Sequence, residues 1–243
     1  MTSKSSLFKR VLKNPFILSA NNVIGPPSVL ALKREILDTY DTRLNWIVDW
    51  EYYIRLASKY NIHYINKPLV CVSYNDSQIT NAVKGNPNVE ILEMMIFLQK
   101  YNVNILPTTP TFLNLMLIGD VFENFDFSSL KMVSYGTEAM PESLLFKLKA
   151  KLPRVKFLQT FGTSETGIAK TSSLSSSSIF MKFDDANQEF KIVEDELWLR
   201  SKTQVLGYIN HSNDNFTEDG WFKTGDRVEE TPDGFIKIVG RTK

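Results

Sequence analysis

The chain has 243 residues, of which 43% are hydrophobic, enough for one large domain or two modest ones. Lys and Arg number 28 against 27 Asp and Glu, a formal charge of +1, so no electrostatic rationale favours nucleic acid or an anionic membrane as partner. One cysteine, Cys71, excludes an internal disulfide and a thiolate metal cluster, and no apolar run approaches the roughly 18 residues of a membrane helix.

From the N-terminus, MTSKSSLFKRVLKN is basic but lacks the apolar stretch and cleavage site of a secretion signal, and a cytoplasmic protein is expected. Pro26-Pro27-Ser28 predicts a helix through VLALKREILDTY (29–40), with Ser as cap and Pro in the first turn. A second helix is predicted in DWEYYIRLASKYN, with Asp49 as its N-cap and Trp50, Tyr53, Ile54 and Ala57 at helical spacing. Residues 62–74 are rich in β-branched and aromatic side chains, and Pro68 splits them into two short extended pieces. Within them, Leu69-Val70-Cys71-Val72 predicts a buried, inert thiol. His63 lies in that strand pattern and His211 in a polar loop, so both are assigned structural or surface roles.

Residues 75–88 (NDSQITNAVKGNPN) make the best linker in the chain. Beyond it come a helix (VEILEMMIFLQKYN), a strand (VNILP), a helix after Pro110, and a helix from Pro141 carrying Leu144, Leu145, Leu148 and Leu152 on one face. A strand over residues 155–158 follows. This alternation predicts an α/β layer on a parallel sheet. LSSSS (174–178) has the composition of a flexible loop. FKIV with ELWLR predicts a hairpin, and GFIKIVG a strand after the turn Pro232-Asp233-Gly234, so residues past 170 form a small β subdomain.

Four stretches carry candidate chemistry. FGTSETG (161–167) leaves the carboxyl end of a predicted strand, where α/β sheets bind ligands. There Gly162 admits a ligand to the backbone, Thr163 and Ser164 offer hydroxyls, and Phe161 can stack on a flat base. Glu165 is a hard oxygen donor suited to magnesium on phosphate. The plain alternative is a polar turn that holds one glutamate. WFKTGDRV places Asp226 beside a glycine, a pattern able to accept two ribose hydroxyls, and Arg241 in IVGRTK can reach the same sugar or its phosphate. In SYGTEAM, Gly136, Thr137 and Glu138 follow another predicted strand and can wall a purine pocket.

The order SYGTEAMP, LQTFGTSETG, GYIN, WFKTGD, GRTK resembles the adenylate-forming superfamily, which contains acyl- and aryl-CoA ligases, luciferases and peptide-synthetase adenylation domains. The resemblance covers about residues 89–243. It implies ATP and Mg2+ as cofactors and a small carboxylic acid as substrate, activated to an acyl-adenylate. The acceptor would be coenzyme A, a carrier-protein thiol or an amine. It further implies that Gly136, Thr137 and Glu138 border the adenine, Phe161 stacks on it, and Ser164 contacts phosphate. Glu165 would hold magnesium, Asp226 the ribose hydroxyls with help from Arg241, and Lys243 would mark a hinge. The family's Ser/Thr/Gly-rich phosphate loop is not found ahead of these motifs. Its C-terminal subdomain and catalytic lysine would lie past Lys243, so nucleotide recognition without efficient turnover is expected.

Residues 14–80 instead resemble the C-terminal half of an inverting family 2 glycosyltransferase, in NPFILSANNVIGPPSVLALKREIL, DTRLNWIVDWEYYIRLA and INKPLVCVSYNDSQIT. That resemblance implies a GT-A-like α/β fragment over residues 1–88, Asp49 as general base and residues 19–28 as an acceptor-side loop. A seam is expected between Gly85 and Met94. Three functions therefore stand open: an adenylate-forming ligase fragment, a glycosyltransferase fragment, or a non-enzymatic fusion of the two.

Overall fold

Among the described residues, helices and irregular segments make up the first hundred positions, and strands dominate the rest. A computed structural model describes residues 4–15, 18, 24–65, 67–72 and 86–241. They separate into two units, Met1–Lys100 and Tyr101–Lys243. The division therefore falls after the helix Pro87–Lys100, whereas the sequence placed it between residues 88 and 89. Among the described residues, no helix is long and apolar enough to cross a membrane.

The first unit contains α1 (Lys4–Lys13), α2 (Val48–Lys59), α3 (Pro87–Lys100) and two single-turn 3-10 segments, Pro27–Val29 and Arg34–Ile36. Helix α2 buries Tyr52, Tyr53, Ile54 and Leu56. Its N-cap is Ile47, not Asp49, which sits one residue inside the helix and makes no capping bond. The capping carboxylate comes from α3. Glu93, 2% exposed, accepts the N–H groups of Asn45 (2.6 Å), Trp46 (2.8 Å) and Ile47 (2.8 Å). A buried anion is thus held by three oriented amides just ahead of a helix start. Glu51, also buried, pairs with Arg55 at 3.0 Å and with Lys100 at 2.8 Å.

Several expectations for this unit are corrected. The helix over 29–40 does not form. Leu37 is 61% exposed and Val29 and Tyr40 are also exposed, so the segment's apolar surface is only partly covered, and propensity alone does not sustain so short a helix. Residues 62–65 and 67–72 are irregular, since an extended segment without a pairing neighbour is not a strand and Pro68 withdraws a donor. Cys71 is exposed rather than buried. Among the described residues the unit has no strand, so the GT-A-like α/β layer is not seen. Of the linker over 75–88, residues 75–85 lie outside the described residues, as does Lys243, while Pro87 and Asn88 already belong to α3.

The second unit bears out the alternation of strand and helix. Strands β1 (Ile105–Thr108), β2 (Met132–Tyr135) and β3 (Lys156–Gln159) form a parallel sheet in that order, with Leu106, Val133 and Phe157 near register. Between them run α4 (Pro110–Ile118), α5 (Val121–Asn124) and α6 (Glu142–Lys151). Thr109 caps α4 by accepting the N–H of Phe112 at 3.1 Å, with Pro110 in the first position where no donor is needed. In α6, Leu144, Leu145 and Leu148 are buried, as their spacing requires.

The short strands β4 (Phe161–Thr163) and β5 (Gly167–Ala169) form a hairpin. Strands β6 (Thr171–Ser173), β7 (Met181–Phe183), β8 (Gln188–Val193), β9 (Glu196–Ser201), β10 (Phe222–Glu230) and β11 (Ile236–Arg241) form an antiparallel sheet ordered β6-β7-β11-β10-β9-β8. Its core is Met181, Leu197, Leu199, Val228 and Ile236. The β8–β9 turn uses Glu194 and Asp195, both at positive φ (51° and 65°), the two-residue geometry that follows strand twist.

Hydroxyl groups close the free edge of β3. Phe157 N–H donates to Ser176 Oγ at 2.9 Å, Gln159 N–H donates to Ser173 Oγ at 3.2 Å, and Thr171 Oγ1 donates to the Gln159 carbonyl at 2.5 Å. The serine-rich stretch 174–178 is therefore a built connection; Ser176 also takes a bond from Lys149 Nζ.

Two buried polar features generate predictions. The Tyr135 hydroxyl and Gln159 Oε1, on residues paired in register, are buried without a hydrogen-bond partner, and burial pushes the Tyr135 phenol well above its usual ionisation range. Tyr135→Phe should raise stability in urea unfolding by about 1 kcal/mol, because it deletes an unpaired buried hydroxyl. Glu93→Ala should lower it by about 2–4 kcal/mol and speed hydrogen exchange at the amides of residues 45–47, which would lose their acceptor.

Candidate functional site

The candidate residues of the second unit collect where β2 and β3 end and where β10 meets β11. Gly136 follows β2 directly. A Cβ there would meet Thr160 Oγ1 at 2.6 Å and the Thr160 carbonyl at 2.7 Å, so the loops leaving the two strands touch through bare backbone. Thr160 donates both its N–H (2.7 Å) and its hydroxyl (3.1 Å) to the Tyr135 carbonyl. Thr137 takes a left-handed φ of 68°. That turn sends Glu138 toward α4, where its carboxylate accepts Thr111 N–H at 3.2 Å and Thr111 Oγ1 at 2.5 Å. Glu138 thus supports the α4 N-terminus. It lines a shallow pocket of about 270 Å³ with Thr111, Asn114, Ser143 and Lys147.

In the FGTSETG stretch, several groups are spent on the loop's own shape. The bare face of Gly162 is filled by β5: an added Cβ would meet Ile168 Cα at 2.7 Å. Its role is hairpin closure, not admission of a ligand to the backbone. Thr163 Oγ1 accepts Thr166 N–H at 3.1 Å and lies 3.0 Å from Thr166 Oγ1, so its hydroxyl is an internal turn bond. The Phe161 ring meets Phe183 edge-on at 5.9 Å and packs on the antiparallel core while half-buried. Ser164 is exposed.

Glu165 is half-buried, and its carboxylate Oε1 accepts the Tyr208 phenol at 2.5 Å. That bond raises the phenol's ionisation above the ordinary tyrosine range.

Asp226 sits in β10 where the ladder to β9 is interrupted between Lys223 and Arg227. Gly225, at φ 73°, makes that turn, and its N–H donates to Glu196 Oε1 at 2.8 Å. Thr224 Oγ1 donates to the Leu197 carbonyl and accepts the Asp226 N–H. Asp226 is 6% exposed. Arg241, its register partner on β11, donates Nε to Asp226 Oδ1 at 2.9 Å. The bond to Asp226 raises the Arg241 ionisation, and the Glu165 charge adds to it, so the three groups share one electrostatic field. Among the described residues no cluster of three or more His, Cys, Asp or Glu could cage a metal. A single carboxylate fits magnesium carried on substrate phosphates, which needs only one or two protein oxygens.

Asp49 belongs to the first unit. Burial pushes its carboxyl up, opposite to the direction that a helix N-terminus favours, so its charged form is not the stabilised one. Tyr208 was not singled out from sequence; the tetrapeptide GYIN was its only signal.

The model of the family described as AMP-binding enzyme matches residues 81–209. 4-Coumarate-CoA ligase 1 of Narcissus pseudonarcissus is 27% identical over 206 residues, covering 76% of this chain and 37% of that protein. That share of the chain is larger than residues 89–243 alone can supply, so the likeness reaches upstream of the expected seam. Peroxisomal OPC-8:0-CoA ligase 1 of Arabidopsis thaliana is 30% identical over 175 residues, with coverages of 63% and 32%. Among solved structures, anthranilate CoA ligase AuaEII in complex with anthranoyl-AMP superposes with a TM-score of 0.53 at 21% identity, covering 65% of this chain and 33% of that one. The chain spans about a third of the length of these relatives. These matches lend no support to a glycosyltransferase piece joined to a ligase piece; the chain belongs to the AMP-binding enzyme family.

Proposed function

We propose that the second unit supplies the ribose and metal side of an ATP-dependent acid–thiol ligase. The carrying observation is the buried Asp226 held by Arg241 Nε at 2.9 Å across the β10–β11 ladder. Asp226 is fixed from one side by Arg241, which leaves its other oxygen for hydroxyls of a ribose. Glu165, on the β4–β5 turn, serves the phosphate end in this reading. Bound magnesium would neutralise phosphate charge, with Glu165 as its protein oxygen.

In the proposed reaction a substrate carboxylate oxygen attacks the α-phosphorus of ATP. The bond to the β-phosphate bridging oxygen breaks, and pyrophosphate leaves with its electron pair. A thiolate, from coenzyme A or a carrier protein, then attacks the acyl carbon, and AMP departs as the carbon–sulfur bond forms. The residues described here bind and orient the nucleotide through both steps. Gly136 and Thr137 border the adenine in this proposal, and Ser164 offers its exposed hydroxyl to phosphate. Glu138 acts through α4 instead of through the base, since its carboxylate is occupied by Thr111.

A thermal-shift titration tests the proposal without requiring turnover. A non-hydrolysable acyl-adenylate mimic at about 100 times its Kd should add about 2.7 kcal/mol to the folded state. Asp226→Asn, close in shape to the parent, should lose most of that shift while its unliganded melting point stays near that of the parent. An equal shift in the variant, or none in the parent, overturns the proposal.

A further inference from the structure

We infer that Tyr208 is a positioning residue for Glu165, holding one carboxylate oxygen so that the other is presented to a phosphate-bound divalent cation. The inference rests on the proposed metal role of Glu165 and adds to it a group that acts through that carboxylate.

The loop that carries Tyr208 is organised around this one contact. Gly207 takes φ 141°, and a Cβ there would meet Asn213 Oδ1 at 2.7 Å, so the position requires glycine. The Asn213 side chain clamps the Tyr208 backbone from both sides, accepting its N–H at 2.6 Å and donating to its carbonyl at 3.4 Å. The Tyr208 ring stands edge-on to Phe216 at 5.5 Å, and Phe216 rests on buried Phe222 at 5.0 Å. Upstream, Val205 N–H donates to the Glu165 backbone carbonyl at 2.8 Å. One loop therefore grips Glu165 at its main chain and at its carboxylate. Burial does not account for this order, because Leu206 and Ile209, which flank Gly207 and Tyr208, are almost fully exposed. The polar clamp and the ring stack orient the phenol.

The chemistry follows from donor counting. A phenol donates one proton, so it takes a single lone pair of Glu165 Oε1 and fixes the plane of the carboxylate. The Glu165 charge is a minor contributor to the raised ionisation of Arg241, whose own bonded partner is Asp226. The partners are thus sorted: Arg241 serves Asp226, and Tyr208 holds Oε1 of Glu165 and leaves Oε2 for the cation. Partners of metal-binding side chains commonly set their orientation in this way, and losing one costs about tenfold or more in metal affinity.

Calorimetric titration with α,β-methylene-ATP, with and without Mg2+, tests this on the full chain. The compared quantity is the gain in nucleotide affinity that the ion provides. In Tyr208→Phe, which keeps the ring stack, metal-free affinity should match the parent and the gain should fall about tenfold. Glu165→Gln should abolish the gain, and the double variant should equal Glu165→Gln, because Tyr208 acts only through that carboxylate. Equal losses with and without metal in Tyr208→Phe would make the role merely structural and overturn the inference. An intact gain in Tyr208→Phe, or additive effects in the double variant, would do the same. A parent chain that binds the nucleotide with no gain from Mg2+ removes the metal role of Glu165 and this inference together, yet leaves the Asp226 pocket standing. A parent that binds no nucleotide at all removes the proposed function itself.

Discussion

The free edge of β3 is the constraint on which the second unit depends. A parallel strand bonded on one side presents donors and acceptors on the other, and leaving them dry and unpaired would cost more than the strand's own packing returns. Here the partners are hydroxyls, on Thr171, Ser173 and Ser176. They belong to the first strand of the antiparallel sheet and to the loop after it. Satisfying the edge therefore also fixes where the second sheet starts relative to the first. The hairpin β4–β5, which carries Glu165, is strung between the two points so fixed.

This arrangement explains why the parallel layer and the antiparallel sheet were legible in the sequence while their connection was not. Leu144, Leu145 and Leu148 repeat at helical spacing, and ELWLR alternates so that Leu197 and Leu199 enter the core while Trp198 and Arg200 stay on the other face. Those patterns report burial on one side of a regular element, which is a local property. LSSSS has no such pattern. Its use depends on which backbone groups happen to lie opposite, and composition alone reads as flexibility. The first unit shows the same limit from the other side. VLALKREILDTY has helical propensity and no surface to cover it, while the cap of α2 comes from Glu93, more than forty residues further along the chain. Asp49 was the natural local candidate for that cap, and a tertiary partner took its place.

At the candidate site, sequence order named the candidate stretches but not the division of labour within them. FGTSETG offers two glycines, three hydroxyls and a carboxylate, and each could face a ligand. Folding spends Gly162 on hairpin closure, Thr163 and Thr166 on each other, and most of Phe161 on the core. Ser164 and Glu165 are left. The selection is physical: a tight turn must satisfy its own amides first, and short hydroxyl side chains are the cheapest local acceptors. A loop rich in potential ligands therefore presents few of them, and the ones presented are those too far from the backbone, or too exposed, to be consumed.

The same economy governs the charges. Two carboxylates share one site with a single guanidinium in this proposal, and each is given its own partner. The fold assigns them by strand register and by a neutral donor. Asp226 and Arg241 face each other across the β10–β11 ladder, so their pairing is set by strand register and needs no selection among rotamers. Glu165 has no such partner in its own hairpin, and a second cation there would cancel the negative charge that a metal ion needs. A phenol restrains the carboxylate without neutralising it. Under the proposed metal role, that is why a tyrosine, and not a lysine or arginine, suits the position opposite this carboxylate.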